Sequence, residues 1–227
     1  MTIKEQKEQK LEAERARVLR LYEYEDRLRD EGFELIAGVD EVGRGSLVGP
    51  VVVSAVILPP DAFFEHLNDS KKVTARRREM LYYEIVYRAI AVSTVLSPIE
   101  EIDRLNVYRA TLEAMKRAVN ALPIKPDYVL TDAMKMQFDG GIGSRSIVRG
   151  DAKSASIAAA SILAKVSRDR LADEWDERYP QYDFKNNRGY GTRKHLCAIK
   201  KYGASELHRR SYEPVKSMYS GQLTIEF

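Results

Sequence analysis

The chain opens with a long charged stretch that carries only a thin stripe of apolar positions. In residues 4–31 these positions recur at helical spacing and acids and bases stand three and four residues apart, so we predict one charged helix. The pattern changes at Phe33, where an apolar run to Val39 is followed by a glycine-rich turn and a second apolar run over 51–58. Two apolar runs around a glycine turn predict a β-hairpin.

Strand and helix patterns alternate through the rest of the chain. The predicted elements are a helix over 72–86, a strand over 89–97, a helix over 100–121, strands over 128–131 and 145–149, and a long helix that Gly150 and Asp151 open and that continues toward Trp175. A hairpin set extended by crossover-connected strands predicts a mixed sheet, and the fold class is α/β. Residues 180–216, rich in glycine, tyrosine and bases, predict a separate helical lobe.

The composition is that of an ordinary globular protein. Of the 227 residues 44% are hydrophobic and 31% charged, unlike disordered or fibrous chains. The one cysteine, Cys197, cannot form an internal disulfide, so a reducing, cytoplasmic location is expected. The longest mostly apolar stretches, 51–58 and 154–164, are shorter than the roughly 20 residues that cross a bilayer, and the first residues lack the apolar core of a signal peptide. We therefore expect no membrane segment.

Positive charge is concentrated toward the C-terminal end. Residues 185–216 contain nine lysines and arginines against two glutamates, whereas the whole chain has a net charge of only +3. Tyr190, Tyr202 and Tyr212 are interleaved with these bases. Such a segment is typical of a face that binds a polyanion, where cations neutralise phosphates and rings pack on sugars or bases. The alternative is a solvated helical surface, and the charges alone do not choose between the two.

Carboxylates follow three of the predicted strands. Asp40 and Glu41 come after the first strand, Asp132 after the strand over 128–131, and Asp151 after the last strand. The carboxyl ends of neighbouring strands line the ligand crevice of α/β sheets, so these acids converge if the strands are neighbours. Converging carboxylates need cations, and oxygen ligands without histidine or cysteine favour Mg²⁺ or Mn²⁺. Two such ions about 3.5–4 Å apart activate water and stabilise the leaving oxygen in phosphodiester cleavage.

Each acid also has a purely structural interpretation. Asp132 could begin a turn, and Asp151 could cap the helix that follows it. Asp40 and Glu41 are adjacent, so on a regular strand their side chains face opposite ways unless the chain bends at Gly43. Residue spacing alone leaves these interpretations open. The glycine turn itself is one residue too long for a dinucleotide fingerprint and precedes a strand, so we reject a dinucleotide-binding loop there.

Seven sequence motifs, taken together, resemble those of bacterial ribonuclease HII. They are Gly38–Gly45 (GVDEVGRG), Gly49–Val52 (GPVV), Asp69–Lys72 (DSKK), Thr131–Ala133 (TDA), Gly150–Lys153 (GDAK), Ser156–Val166 (SIAAASILAKV) and Gly189–Thr192 (GYGT). The resemblance covers roughly residues 33–218 and implies a ribonuclease H-like mixed five-stranded sheet flanked by helices. It divides the chain into an N-terminal charged helical extension (1–32), a catalytic domain (33–218) with a basic C-terminal helical lobe (about 180–218), and a tail (219–227).

The resemblance implies a metal-dependent endoribonuclease. Such an enzyme hydrolyses the RNA strand of RNA–DNA hybrids and cuts 5′ of single ribonucleotides embedded in duplex DNA, leaving 5′-phosphate and 3′-hydroxyl ends, and so removes ribonucleotides from DNA. Asp40, Glu41, Asp132 and Asp151 match the family's catalytic, metal-binding acids, with two Mn²⁺ or Mg²⁺ ions expected. A monomer is expected. The alternatives are a catalytically silent nucleic-acid or clamp adaptor with the same fold and a two-metal nuclease that acts on branched DNA.

The resemblance also implies substrate-contacting positions. The family has a loop that senses the ribose 2′-hydroxyl, the group that distinguishes RNA from DNA, and a tyrosine that packs on the following sugar. It also has a motif close to the backbone phosphates. In this sequence the positions are Gly43, Arg44 and Gly45 for the ribose loop, Ser70 and Lys71 for the phosphates, and Tyr190 for the following sugar. A core aromatic between two turn glycines is the alternative for the tyrosine.

Several further residues have a structural interpretation. Ser46 stands where the family usually has proline, and we expect it to loosen the turn without removing a ligand. Arg168 and Asp169 match the family and could form a structural ion pair. His195 and His208 are expected to cap or pack rather than to catalyse.

The last six residues, QLTIEF, look like the short peptides that dock on the bacterial sliding clamp. The anchors would be Gln222, Leu223, Ile225 and Phe227. Such a peptide orders as it fills an apolar pocket, which gives modest affinity. A frayed tail and an added edge strand are the alternatives.

Overall fold

Five strands form one mixed sheet in a computed structural model that describes residues 2–219 of the protein. The strands are β1 (Ile36–Val42), β2 (Val51–Ile57), β3 (Ala91–Ser97), β4 (Tyr128–Asp132) and β5 (Gly143–Ile147). Their order is β3-β2-β1-β4-β5, with antiparallel pairs β1–β2 and β2–β3 and parallel pairs β1–β4 and β4–β5. The predicted hairpin and mixed five-stranded sheet are confirmed.

Helices flank this sheet, which confirms the α/β class. They are α1 (Ile3–Arg20), α2 (Glu23–Asp30), α3 (Ala75–Arg88), α4 (Ile99–Leu105), α5 (Val107–Asn120), α6 (Ala155–Arg178), α7 (Phe184–Asn187), α8 (Arg193–Tyr202) and α9 (Val215–Tyr219). Short 3₁₀ turns lie at Gly150–Ala152 and Pro180–Tyr182. Within residues 2–219, no helix is long and apolar enough to cross a membrane.

The central strand β1 packs directly on α6. Gly38 has no room for a side chain, because a Cβ there would lie 2.1 Å from the backbone carbonyl carbon of Ser156. The first turns of α6 consist largely of alanine and serine and are buried, which permits this close approach. The strand that carries the first two candidate acids is therefore fixed against the longest helix.

The opposite face of β1 packs against α5. Ala37 and Val39 belong to the same hydrophobic cluster as the buried alanines of α5. Because side chains alternate along a strand, Asp40 lies on the α6 face and Glu41 on the α5 face. The prediction that the strand stops before Asp40 is wrong, since β1 pairs with β2 as far as Val42.

Two predicted helices are each split in the structure. The helix predicted over 4–31 is interrupted between α1 and α2 at Leu21 and Tyr22, whose side chains turn into the core. The helix predicted over 100–121 breaks at Asn106, which has a φ of 68° and whose side chain accepts two backbone N–H groups of α5. Asparagine tolerates a positive φ and is a favoured helix cap, so one residue ends α4 and starts α5.

The long helix begins later than predicted. Gly150 and Asp151 form a 3₁₀ turn, and α6 starts at Ala155. Its cap is Ser154, whose Oγ accepts the N–H of Ile157 at 3.3 Å. Asp151 therefore does not cap the helix, and that structural interpretation of the acid is wrong.

Both ends of the described chain pack on the sheet and its helices. Val18 and Tyr22 of the N-terminal segment are buried in the hydrophobic cluster that includes the first turns of α6. At the other end α7, α8 and α9 form the expected helical lobe. Its cluster contains Phe184 and Ile199 and is joined to α6 through Trp175.

Candidate active site

Two of the predicted acids lie on the central strand in a buried setting. Asp40 is 6% exposed, and burial together with the negative charges of Glu41 and Asp132 raises its pKa well above the ordinary value. Burial also raises the pKa of Glu41 to about 7, where the charge of Arg44 lowers it and that of Asp132 raises it. Asp40 and Glu41 leave the strand on opposite faces, but the negative charge of Asp132 raises the pKa of both. The three carboxylates therefore share one electrostatic site.

Asp132 ends β4 and fastens the segment that carries the fourth acid. Its Oδ1 accepts the N–H of Gly150 at 2.7 Å. Asp151, the next residue, is 8% exposed, and its pKa is raised by burial and by the charges of Asp69 and Asp132. The fourth acid is thus coupled to the others through Asp132, as the neighbouring carboxyl ends of β1, β4 and β5 require.

The four acids perturb one another but do not form a closed ligand cage. Among residues 2–219, no three acidic, histidine or cysteine side chains lie close enough together to hold a metal ion. Burial is the main cause of the raised pKa values of Asp40 and Glu41, and neighbouring negative charge adds to it. Oε2 of Glu41 is buried and has no hydrogen-bond partner within residues 2–219. An oxygen-only set with an unpartnered carboxylate oxygen suits Mg²⁺ or Mn²⁺. The chemistry of the residues present therefore fits divalent cations.

Sequence reasoning misses a fifth carboxylate, Asp69. It shares a hydrogen bond with Asp151, and its charge contributes to the raised pKa of Asp151. Its Oδ1 also accepts the N–H of Lys71 at 2.9 Å, which fixes the turn. The signal is present in the sequence, because Asp69 opens the DSKK motif. The other acids are found because they follow predicted strands. Asp69 lies in a loop, so the strand pattern does not predict where its side chain lies.

The two predicted phosphate contacts, Ser70 and Lys71, have different environments. Ser70 is 4% exposed, and its hydroxyl forms a 2.9 Å hydrogen bond with the Ser161 hydroxyl of α6. A hydrogen bond from Ser161 also lowers the pKa of Asp40 against the effect of burial. Lys71 is exposed, and its charge acts on Asp151. Ser70 therefore ties its loop to the acids, whereas Lys71 is accessible to a phosphate.

The glycine loop between β1 and β2 is held by two buried arginines. Arg209 donates to the carbonyl oxygens of Gly43 at 2.7 Å, Arg44 at 3.0 Å and Gly49 at 2.9 Å. Gly43 has a φ of 98°, and a Cβ there would lie 2.3 Å from Nε of Arg168. Backbone conformation and space both require glycine at this position. The loop is thus a rigid part of the site.

The second arginine, Arg168 of α6, holds the loop through Ser46. Its guanidinium donates to Oγ of Ser46 at 2.7 Å and to the carbonyl of Val48 at 3.1 Å, and the Ser46 hydroxyl donates to the carbonyl of Gly189 at 2.9 Å. Ser46 is fully buried, so the expectation that it loosens the turn is wrong. The suggested ion pair with Asp169 is wrong too, because Arg168 is directed at these loop groups.

Tyr190 lies beside the same loop. It is 41% exposed, so the interpretation as a core aromatic is wrong. A Cβ built on Gly45 would have Tyr190 Cε1 as its nearest neighbour at 3.8 Å, and the guanidinium carbon of Arg168 lies 5.8 Å from the ring centre. The ring therefore presents an accessible aromatic surface next to the glycine loop.

His195 and His208 form a buried pair behind Tyr190. Nδ1–H of His195 donates to the carbonyl of Tyr190 at 2.9 Å, and the two Nε2 atoms are 3.1 Å apart. Nδ1 of His208 accepts the N–H of Ser205 at 2.9 Å, so its Nε2 carries the proton that His195 accepts. Burial lowers the pKa of both rings, that of His208 to about 4. Two neutral histidines thus position the tyrosine segment and lie inside the lobe, as expected.

Arg44 is the charged member of the glycine loop. Its Nη1 lies 3.5 Å from Oε1 of Glu41 and 3.8 Å from Sδ of Met134, and the side chain is 39% exposed. Its Nε is buried and finds no hydrogen-bond partner in the part of the chain that the structure describes. The loop therefore brings to the carboxylates a cation that has an unused donor.

Sequence comparison identifies the family of the chain. Residues 37–215 match the Ribonuclease HII family. The chain is 52% identical over 196 residues to ribonuclease HII of Enterococcus faecalis, an alignment that covers 86% of this chain and 76% of the relative. It is 49% identical over 211 residues to ribonuclease HII of Bacillus licheniformis, covering 93% of this chain and 82% of the relative.

Solved structures share the fold. Ribonuclease H2 from Pyrococcus horikoshii OT3 aligns with a TM-score of 0.71 and 25% identity, over 82% of this chain and 98% of that one. Two more distant neighbours show the fold alone. A ribonuclease HII of Archaeoglobus fulgidus in complex with PCNA aligns with a TM-score of 0.60 and 22% identity, over 84% of this chain and 91% of that one. Bst-RNase HIII in complex with Mn²⁺ aligns with a TM-score of 0.59 and 14% identity, over 83% of this chain and 70% of that one. Sequence and fold agree that the chain belongs to the ribonuclease HII family and is a hydrolase of the ribonuclease H type.

Proposed function

We propose that the protein is a metal-dependent endonuclease that hydrolyses the RNA strand of RNA–DNA hybrids and cuts 5′ of single ribonucleotides in duplex DNA. The products carry 5′-phosphate and 3′-hydroxyl ends, and the cellular role is removal of ribonucleotides from DNA. The observation that carries the proposal is the group of carboxylates formed by Asp40, Glu41 and Asp132 beside a rigid glycine loop. Burial raises the pKa of Asp40 and of Glu41, and Oε2 of Glu41 has no hydrogen-bond partner among residues 2–219.

In this proposal Asp40, Glu41, Asp132 and Asp151 hold two divalent cations, Mn²⁺ or Mg²⁺. When bound, such ions activate a water molecule and stabilise the leaving 3′ oxygen. The chain itself fixes the ligands, since β1 sets Asp40 and the Gly150 N–H orients Asp132. Because cations displace protons from carboxylates with raised pKa values, binding tightens as the pH rises toward 7. The Mn²⁺ bound by Bst-RNase HIII supports a divalent cation.

The glycine loop and Tyr190 supply the proposed choice of substrate. Gly45 has room at its Cβ position, so main-chain groups of the loop can approach a ribose there and sense its 2′-hydroxyl. Gly43, whose Cβ position is filled by Arg168, fixes the conformation of the loop. The exposed ring of Tyr190 lies next to Gly45, where it can pack on the sugar that follows. Arg44 acts electrostatically on Glu41 and Lys71 on Asp151, and both cations suit the phosphates on either side of the cut.

The C-terminal tail is a further part of the proposal. Its anchors Gln222, Leu223, Ile225 and Phe227 lie outside the residues that the structure describes. The PCNA complex of the Archaeoglobus fulgidus neighbour supports the idea that this chain, too, is delivered to DNA by a sliding clamp. We propose that the enzyme acts as a monomer, in the reducing cytoplasmic compartment that its single cysteine predicts.

Cleavage of a DNA duplex with one embedded ribonucleotide tests the proposal. We expect metal-dependent cutting 5′ of the ribonucleotide and a rate at least about 10³-fold lower in Asp40→Asn, because one carboxylate ligand is lost. Glu113→Gln, at an exposed acid of α5, is the matched control and should retain full activity. Binding without cleavage would instead indicate a silent adaptor, and equal cutting of the all-DNA duplex would indicate a nuclease that does not recognise ribose.

A further inference from the structure

A groove rich in positive charge separates the N-terminal helices from two loops of the candidate active site. It has a volume of about 540 Å³, and four of its lining residues are cations: Arg17 and Arg20 of α1, Lys72 and Lys153. Glu23 is the acid that lines it. The N-terminal extension, to which the sequence assigns no task, therefore forms one wall of a basic surface.

Three of these cations are available to a ligand. Arg17 already uses its guanidinium within the protein, because it pairs with Glu14 and donates to the backbone carbonyl of Leu67. Arg20 is exposed and its Nε donates only a 3.3 Å hydrogen bond to its own helix. Lys72 and Lys153 are exposed, and neither forms an ion pair within the described part of the chain. Unpaired cations that face the same groove favour an anionic occupant.

The wall formed by the extension is firmly docked beside Asp151. Glu25 of α2 is 2% exposed and accepts hydrogen bonds from the Ser154 hydroxyl at 2.6 Å and the Ser156 N–H at 2.9 Å. The carbonyl of Leu21 accepts the N–H of Ala155 at 2.9 Å. These contacts fix α1 and α2 to the start of α6, four residues after Asp151.

A second set of contacts docks the extension beside the DSKK loop. Oε1 of Glu14 accepts the N–H of His66, and Arg17 donates to the carbonyl of Leu67, both at 2.9 Å. This segment leads directly into Asp69, which hydrogen-bonds with Asp151. The two walls of the groove are thus held at a set distance, and the site is preformed.

The residues that line the groove are close in sequence to the candidate active site. Lys72 follows Lys71, whose charge acts on Asp151, and Lys153 lies two residues beyond Asp151. Several exposed cations that line one groove suit the phosphates of a nucleic-acid strand. We infer that this groove holds the sugar–phosphate backbone of the substrate duplex, so that the N-terminal extension is part of the substrate-binding face. The identity of the duplex rests on the proposed function.

The test is duplex binding without catalysis. Anisotropy of a labelled duplex with one ribonucleotide is measured in EDTA over a range of salt concentrations, for the wild type and for the triple variant Arg20→Gln, Lys72→Gln, Lys153→Gln. The matched control is Arg109→Gln, Lys116→Gln, Lys125→Gln, which removes the same charge from α5 and the segment after it. These positions lie away from the groove.

The inference predicts that the groove variant binds the duplex at least about tenfold more weakly than the control variant in low salt. The slope of log affinity against log salt should fall by about 2 to 3, close to one for each phosphate that the variant no longer neutralises. An all-DNA duplex should show the same weakening, since its phosphates are the same. Equal binding by the two triple variants would overturn the inference. Because the assay contains no metal, that result would leave the metal-dependent cleavage of the proposed function untouched.

Discussion

Ser46 shows how one buried side chain controls the geometry of the candidate site. Its hydroxyl joins the guanidinium of Arg168 to the carbonyl of Gly189, and so links the glycine loop to the segment that carries Tyr190. The family's usual proline has no side-chain donor or acceptor with which to make these bonds. In this chain, the alignment of the loop with the aromatic ring therefore depends on a hydrogen-bond network.

We predict that Ser46→Ala destabilises the protein by about 1–3 kcal/mol, because a buried charged donor of Arg168 loses its acceptor. Urea unfolding measures this change. In cleavage assays the variant should also discriminate less between ribose and deoxyribose, since the loop and Tyr190 are no longer linked. Ser146→Ala, at a partly exposed serine of β5, is the control and should change stability by less than about 0.5 kcal/mol. Unchanged stability of Ser46→Ala would show that the network does not hold the loop.

The carboxylates give the metal-free protein a distinctive dependence on pH. The pKa of Glu41 is about 7 in the folded protein against an ordinary 4.5, so the folded state binds this proton more tightly than the unfolded chain. The associated stability is fully present below pH 4.5 and is lost as the pH rises through 7. Divalent cations would reverse that loss by neutralising the group.

We therefore predict that Asp40→Asn makes the metal-free protein more stable than the wild type at pH 8 by about 1–3 kcal/mol, because one of the repelling charges is removed. At pH 5 the difference should be smaller. Millimolar Mn²⁺ should stabilise the wild type at pH 8 and have little effect on the variant. Urea unfolding in EDTA and in Mn²⁺ provides the comparison. A variant less stable than the wild type at pH 8 would contradict the electrostatic account of the site.

At the scale of elements, the C-terminal lobe positions Tyr190 through the pair formed by His195 and His208. The pKa of His208 is lowered from 6.5 to about 4, so the unfolded chain binds the proton more tightly than the folded one. The pair's contribution to stability is fully present above pH 6.5 and is lost as the pH falls through 4. The lobe should loosen in acid while the sheet remains ordered.

Hydrogen exchange measures the stability of the lobe and of the strands separately, and so tests whether acid loosens the lobe alone. In the wild type we expect the free energy of opening of residues 189–208 to fall between pH 6.5 and 4 by up to about 3 kcal/mol relative to the strands. His208→Gln should remove most of this pH dependence, because the titrating ring is gone. His66→Gln, at a partly exposed histidine outside the lobe, should leave it unchanged. If all three proteins show the same pH dependence, the histidine pair is not its cause.

At the scale of the whole molecule, the sequence predicts the sheet and the candidate acids. It does not predict the long-range contacts that fix the surrounding loops and helices. Apolar runs followed by acids and the motif resemblance lead to Asp40, Glu41, Asp132 and Asp151, because both are local features of sequence. The exact end of β1 is not, since pairing with β2 extends this strand to Val42. The helix breaks at Tyr22 and Asn106 depend on tertiary packing and on a single tolerated φ, so periodicity misses them. The roles of Ser46, Asp69, Arg168, Arg209 and Glu25 arise from contacts between residues far apart in the chain.

The central claim is that these acids bind divalent cations, and Mn²⁺ binding by the protein with a noncleavable ribonucleotide-containing duplex tests it most directly. Asp132→Asn is the decisive variant, because its side-chain oxygen can still accept the N–H of Gly150 while the charge that couples the acids is removed. We predict about two Mn²⁺ ions per wild-type chain and at most one, bound at least about tenfold more weakly, in the folded variant. Equal Mn²⁺ binding by the two proteins, or none by the wild type, would contradict the account.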